Sequence, residues 1–178
     1  DNTSEIVSLL HQAIWLNDTT STKEILDSYP YLINSETEPD DETIYGSEGY
    51  TPIMTAIAAE DNHSSFKLLM GDEYVNKIDF MAENKDKINV IFLAIDTEIE
   101  NVIIDLIYAE PRLLETKYKG RTPIQYIKDK LEEVGYGHSR DYLENTLQLI
   151  QSFYDMYHDN RGEPLKITRD GVPTRGIL

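Results

Sequence analysis

Cysteine is absent from this 178-residue chain. That excludes disulfides, thiolate metal ligation and thiol nucleophiles together, and leaves the redox compartment open. No apolar run reaches the ~18 residues that a membrane-spanning helix needs, so no membrane role is expected. No signal-peptide pattern opens the sequence and no lipidation motif closes it at Gly176-Ile177-Leu178. A first residue of Asp suggests a trimmed chain that has lost any targeting information. Bases are scarce: 16 Lys and Arg face 33 Asp and Glu, a net charge of −17. Phosphate backbones are gripped by Lys and Arg, so a balance of this sign argues against a nucleic-acid partner.

The shortage of bases is uneven. Residues 1–60 hold 12 acids and one base, Lys23, a net of −11. Residues 112–130 run the other way, with Arg112, Lys117, Lys119, Arg121, Lys128 and Lys130 against Glu115 and Asp129. A field of this kind can steer a basic partner to the N-terminal end; the same acids also do no more than solvate a surface in many proteins.

Reactive constellations are missing as well. The histidines His11, His63, His138 and His158 lie far apart, without the i, i+4 spacing of a helical metal pair. Gly-x-Ser-x-Gly and the phosphate-cradling Gly-Lys-Ser/Thr do not occur. Asp40-Asp41-Glu42 lacks the spacing of a calcium loop. The expectation is therefore no catalytic residues, no metal and no cofactor, and a protein that is not an enzyme. A small enzyme with a site assembled in space is the remaining chemical alternative.

What the chain does contain is a motif that returns. Gly49-Tyr50-Thr51-Pro52-Ile53-Met54-Thr55-Ala56-Ile57 reads as a turn followed at once by a short helix. Gly49 permits a positive φ, Thr51 suits the cap, and Pro52 suits the first helical position, where its missing N–H is no loss. Gly120-Arg121-Thr122-Pro123-Ile124 repeats the opening, and Asn89-Val90-Ile91-Phe92-Leu93-Ala94 matches in register. Ser8-Leu9-Leu10-His11-Gln12-Ala13 carries a Leu-His-x-Ala core. The equivalent cap positions Ser8, Thr51, Asn89 and Thr122 are spaced by 43, 38 and 33 residues. A second correspondence aligns Ser28-Tyr29-Pro30-Tyr31-Leu32-Ile33 with Glu110-Pro111-Arg112-Leu113-Leu114-Glu115.

On these residues the sequence resembles the ankyrin repeat family, whose period is 33 residues and whose signature is Thr-Pro-Leu-His-x-Ala. Met54, Phe92 and Gln125 stand where the family usually has His. The resemblance implies an all-α ankyrin-repeat solenoid of about four helix-turn-helix repeats over 1–157, with turn or finger loops. The repeats fall at about 3–35, 47–79, 85–117 and 118–157, with an acidic insertion at 36–48 and an extended tail at 158–178.

Within the repeats, Ile6, Leu9, Leu10, Ala13 and Ile14 are the expected apolar face of the first helix. Thr19 to Thr22 are expected to break that helix and cap a second one over Lys23 to Ser28. Phe66, Leu69 and Met70 read as an inner stripe. Val90 to Ile107 is hydrophobic on most sides and so buried on most sides. The last helix is expected over Asp141 to Tyr157, with a stripe of Leu143, Leu147, Ile150, Phe153 and Tyr154.

The resemblance further implies a protein-binding module, an adaptor or scaffold or a secreted effector. Its surface would be built from loop tips and first-helix side chains: Gln12, Leu16, Tyr45, Glu48, Tyr50, Thr55, Ala59, Lys85, Asp86, Tyr118, Lys119 and Gln125. The partner would be another protein with a basic surface, and the chain a monomer on its own. Its compartment would be the cytoplasm, or the host cytosol for a delivered effector. The alternative in the same class is a stand-alone acidic inhibitor or immunity protein that neutralises a basic partner.

Overall fold

The computed structural model describes residues 2–38, 49–59, 63–158, 165–167 and 173–175. Most of these are helical. The helices are α1 (Thr3–Trp15), α2 (Thr19–Ser28), α3 (Pro52–Ala58), α4 (Ser64–Leu69), α5 (Val90–Thr97), α6 (Glu100–Ala109), α7 (Pro123–Glu133) and α8 (His138–Tyr157). The all-α expectation holds for the described residues except in the tail. There β1 (Leu165–Ile167) and β2 (Pro173–Arg175) pair antiparallel, with Leu165 opposite Arg175 and Ile167 opposite Pro173.

A local plan recurs along the chain. A helix pair is followed by a 3-10 turn, at Pro30–Leu32 after α2, Val75–Lys77 after α4 and Pro111–Glu115 after α6. A backbone pairing that precedes the next helix comes after it. The Thr37 N–H donates to Tyr50 O (2.9 Å), Asn84 N–H to Ile88 O (3.0 Å), and Tyr118 and Arg121 exchange bonds of 2.9 and 3.0 Å. In all three, the closing residue stands two places before the first residue of the next helix, Pro52, Val90 or Pro123. The two proline-led 3-10 turns carry the second correspondence with its register moved by one residue, Tyr29 and Pro30 matching Glu110 and Pro111.

The helix starts divide the expected caps. Thr122 makes the full capping box: its hydroxyl accepts from Gln125 N–H, and the Gln125 side chain accepts from Thr122 N–H. Asn89 accepts from Ile91 N–H at 3.0 Å. Thr51 occupies the cap position of α3, but its buried hydroxyl makes no capping bond. Ser8 lies inside α1, which begins five residues earlier at Thr3. Asp18, rather than the Thr19–Thr22 run, caps α2. Its carboxylate accepts from the Ser21 N–H and hydroxyl, and those bonds hold its acid below the usual aspartate range. Thr19 to Thr22 are thus the first turn of the helix. The last helix likewise starts at His138 instead of Asp141.

The chain forms two compact units, 1–93 and 94–178, the division falling within α5. In the first, Leu10, Ile14, Leu26, Ile53, Met54, Ile57, Phe66 and Leu69 are buried, as are Val90, Ile91 and Phe92. Each such side chain contributes about 1.5–3 kcal/mol on leaving water. Polar bonds fix the packing of α1 on its neighbours. Buried His11 pairs with the Thr55 hydroxyl through Nδ1 (2.7 Å) and with Ser35 O through Nε2 (3.1 Å). The Ser65 hydroxyl donates to Ile14 O at 3.0 Å. In the second unit, Val102, Ile103, Leu106 and Ile107 of α6, Leu113 and Leu114 of the 3-10 turn, and Ile127 of α7 are buried. The buried stripe of α8 is Leu143, Thr146, Ile150, Phe153 and Tyr157, so Leu147 and Tyr154 lie beside it and are part-exposed.

Candidate interaction surfaces

Helix α1 presents two faces. Val7, Leu10, His11, Ala13 and Ile14 are buried, while Leu9 and Leu16 are 55% and 61% exposed. Seven residues is nearly two helical turns, so Leu9 and Leu16 share one stripe, with part-exposed Gln12 between them and exposed Glu5 above. Of the expected face, Leu10, Ala13 and Ile14 are buried, Ile6 is part-exposed, and Leu9 is corrected to the outer side. Several apolar positions competed for the core, and the set led by His11 won because its ring has partners on both nitrogens.

The unit that carries α1 holds 18 acids against 5 bases, a net of −13; residues 94–178 hold 15 against 11, a net of −4. Elsewhere in the first unit, Lys23 bridges Glu73 (2.8 Å) and Asp27 (3.2 Å). Glu73 first and Asp27 second hold its ammonium above the usual lysine range. The Tyr74 hydroxyl donates to Asp27 at 3.0 Å, and burial raises its phenol. Asp27, Glu73 and Tyr74 line an open groove of about 600 Å³ together with Leu26, Pro30, Ile33 and Lys77.

In the second unit the Tyr118–Arg121 turn and α7 enclose an open groove of about 550 Å³. Lys119 and Gly120 take φ of 51° and 78°, the paired positive values of a type I′ turn. Tyr118 meets Tyr126 edge to face, with ring centres 6.0 Å apart. Lys119 Nζ lies 5.3 Å from the Tyr118 ring centre and Lys130 Nζ 5.1 Å from that of Tyr126. Tyr126 donates to Asp96 at 2.8 Å; burial, then that bond, raises its phenol well above the usual range. Asp96 also pairs with Lys130 (3.1 Å), and Arg121 with Asp129.

The residues expected at the binding surface therefore divide. Gln12 of α1 and Leu16 at its C-cap come together, as do Tyr118 and Lys119 in the turn before α7, with exposed Gln125 in its first turn. Lys85 and Asp86 are exposed at the Asn84–Ile88 turn. Tyr50, Thr55 and Ala59 are corrected: they are 9%, 0% and 1% exposed. Thr55 faces inward because its hydroxyl serves His11, and the Tyr50 backbone is pinned to Thr37. Tyr45 and Glu48 lie outside the described residues. Sequence reasoning missed Leu9, Arg121, Tyr126 and Lys130 as surface groups. The seven-residue interval between Leu9 and Leu16 was the available signal for the first.

Among the described residues no group of three or more His, Asp or Glu is placed to hold a metal ion, and no helix is long and apolar enough to cross a membrane. No protein-family model, curated protein or solved structure matches the chain.

Proposed function

We propose that the chain is a protein-interaction module of the ankyrin-repeat type that docks a basic partner through the exposed stripe of α1. The observation that carries this reading is the pair Leu9 of α1 and Leu16, the residue that caps its C-terminus, both more than half exposed beside a helix whose other face is buried. Apolar side chains so placed supply contact area, and the net −13 of their unit selects for basic surfaces and speeds encounter. The recurring order of helix pair, 3-10 turn and backbone pairing supports the repeat assignment. The Tyr118–Tyr126 groove offers a second set of aromatic contacts of the kind interfaces favour.

The test compares proteins captured from lysate by the wild-type chain and by the double variant Leu9→Gln, Leu16→Gln. Both glutamines suit an exposed helix face, and an unchanged circular dichroism spectrum serves as the check that the fold is intact. Loss of a stoichiometric partner is expected. Retention of the same partner at the same strength overturns the α1 assignment. A second reading, a stand-alone inhibitor of one basic protein, draws on the same charge. It predicts a single tight one-to-one complex where an adaptor gives several weaker ones.

A further inference from the structure

The loop Val134–Gly137 between α7 and α8 carries Tyr136 at its tip. We propose that Tyr136 is a phosphoryl-acceptor site for a protein tyrosine kinase and that Arg140 receives the phosphate once it is attached. In the step, the Tyr136 Oη attacks the γ-phosphorus of a nucleoside triphosphate. The bond to the bridging oxygen breaks, the electron pair leaves with the nucleoside diphosphate, and the hydroxyl proton passes to the kinase's base.

Accessibility separates this tyrosine from the other described ones. Its side chain is fully exposed, at 101%. A modifying enzyme must also grip the backbone on both sides, and here both neighbours are glycine. A Cβ placed at Gly135 or Gly137 would meet nothing within 4 Å. Helix α8 begins immediately after, and its Gly137 cap supplies no side-chain bond over the loop. Tyr31, 68% exposed, lacks these features: it sits inside a 3-10 turn, edge to face with Tyr29 at 6.2 Å, beside buried Leu32 and Ile33. Tyr126 and Tyr142 have committed their hydroxyls to Asp96 and Ala94 O.

Arg140 stands over the Tyr136 ring face and is the basic group that a phosphate on its hydroxyl would draw over. The Arg140 guanidinium carbon lies 5.8 Å from the Tyr136 ring centre. Its Nη1 donates to Leu131 O and Val134 O, at 3.1 and 3.3 Å, and its Nε pairs with Glu144 at 3.0 Å. The guanidinium is thereby held at the end of α7 through Nη1 and Nε. A phosphate brings close to two negative charges and three acceptor oxygens, and next to an arginine at a helix start it gains charge-assisted bonds. Glu132, Glu133 and Asp141 are the neighbouring carboxylates. They oppose the added charge, and they also favour a kinase whose peptide groove is basic.

The experiment incubates the folded chain with a purified protein tyrosine kinase catalytic domain and Mg·ATP, and maps phosphate by mass spectrometry over time. A synthetic peptide covering residues 130–142 serves as the reference substrate. The proposal expects one phosphoryl group, on Tyr136, before any other tyrosine is labelled, and no early labelling in Tyr136→Phe. It also expects phosphorylation to raise the melting temperature, a rise that Arg140→Lys diminishes by removing the fork geometry. Labelling that starts at Tyr31 or spreads evenly overturns the site, as does a chain left unmodified while the peptide is labelled, or a peptide that is itself refused. A melting temperature unchanged by modification overturns the role of Arg140.

Discussion

Thr51 and Thr122 hold the same place, extended and directly before a proline-led helix, and differ in their bonds. Thr122 reciprocates with Gln125. Thr51 leaves a buried hydroxyl without a partner among the described residues. Thr122→Ala is therefore expected to cost about 0.5–2 kcal/mol, the range for losing a helix cap. Thr51→Ala removes no capping bond and should cost measurably less; chemical denaturation of the two variants gives the comparison. Equal losses would contradict the assignment of the caps. Tyr126 makes a second prediction at this scale. Burial and the bond to Asp96 favour its neutral phenol in the folded state. That contribution to stability is complete below the ordinary tyrosine pKa of about 10 and is lost as pH rises toward the higher folded value. Asp96→Asn, which removes the carboxylate, should bring the Tyr126 titration down part of the way. The difference in phenolate absorbance between Asp96→Asn and the same chain with Tyr126→Phe measures it, and an unmoved curve would contradict the bond.

The turns before the helices were the most legible elements, because their signals are local. Gly49 and Gly120 were each read as turn residues and take φ of 77° and 78°. They differ in surroundings: a Cβ on Gly49 would lie 3.2 Å from Lys85 N, whereas at Gly120 it would meet nothing within 4 Å. Gly120→Ala should then show only the backbone cost of a left-handed residue, about 1–2 kcal/mol. Gly49→Ala should cost more, since the Lys85 backbone must also give way. Thermal melts of both variants check the order, and its reversal would place the close approach elsewhere. The proline-led 3-10 turns were legible for the same reason. Faces were harder. Leu9 read as core because apolar positions at 6, 9, 10, 13 and 14 fit a helix period in more than one way. Which stripe turned inward was decided by bonds from His11 to Thr55 and Ser35, 44 and 24 residues distant. Thr55 and Ala59 were placed on the surface by their repeat position, and the same bond drew Thr55 inside. The start of α2 was missed because a threonine run resembles a break, although Asp18 lies directly before it.

For the whole molecule, the distribution of charge and exposed apolar groups matters more than any single contact. The first unit joins a net −13 to the Leu9–Leu16 stripe, while the second places Lys119, Arg121 and Lys130 with Asp129, Glu132 and Glu133 around an aromatic groove. A partner drawn by the first must carry the opposite charge, and its binding must weaken as ions screen the field, whose reach is about 10 Å at 0.1 M salt. The measurement that tests this most directly is elution of a captured partner from the immobilised chain under a rising salt gradient. The account predicts a basic protein that leaves progressively as salt increases and is not retained by the Leu9→Gln, Leu16→Gln variant. A partner that is acidic or neutral, holds through the gradient and binds that variant equally well would contradict it.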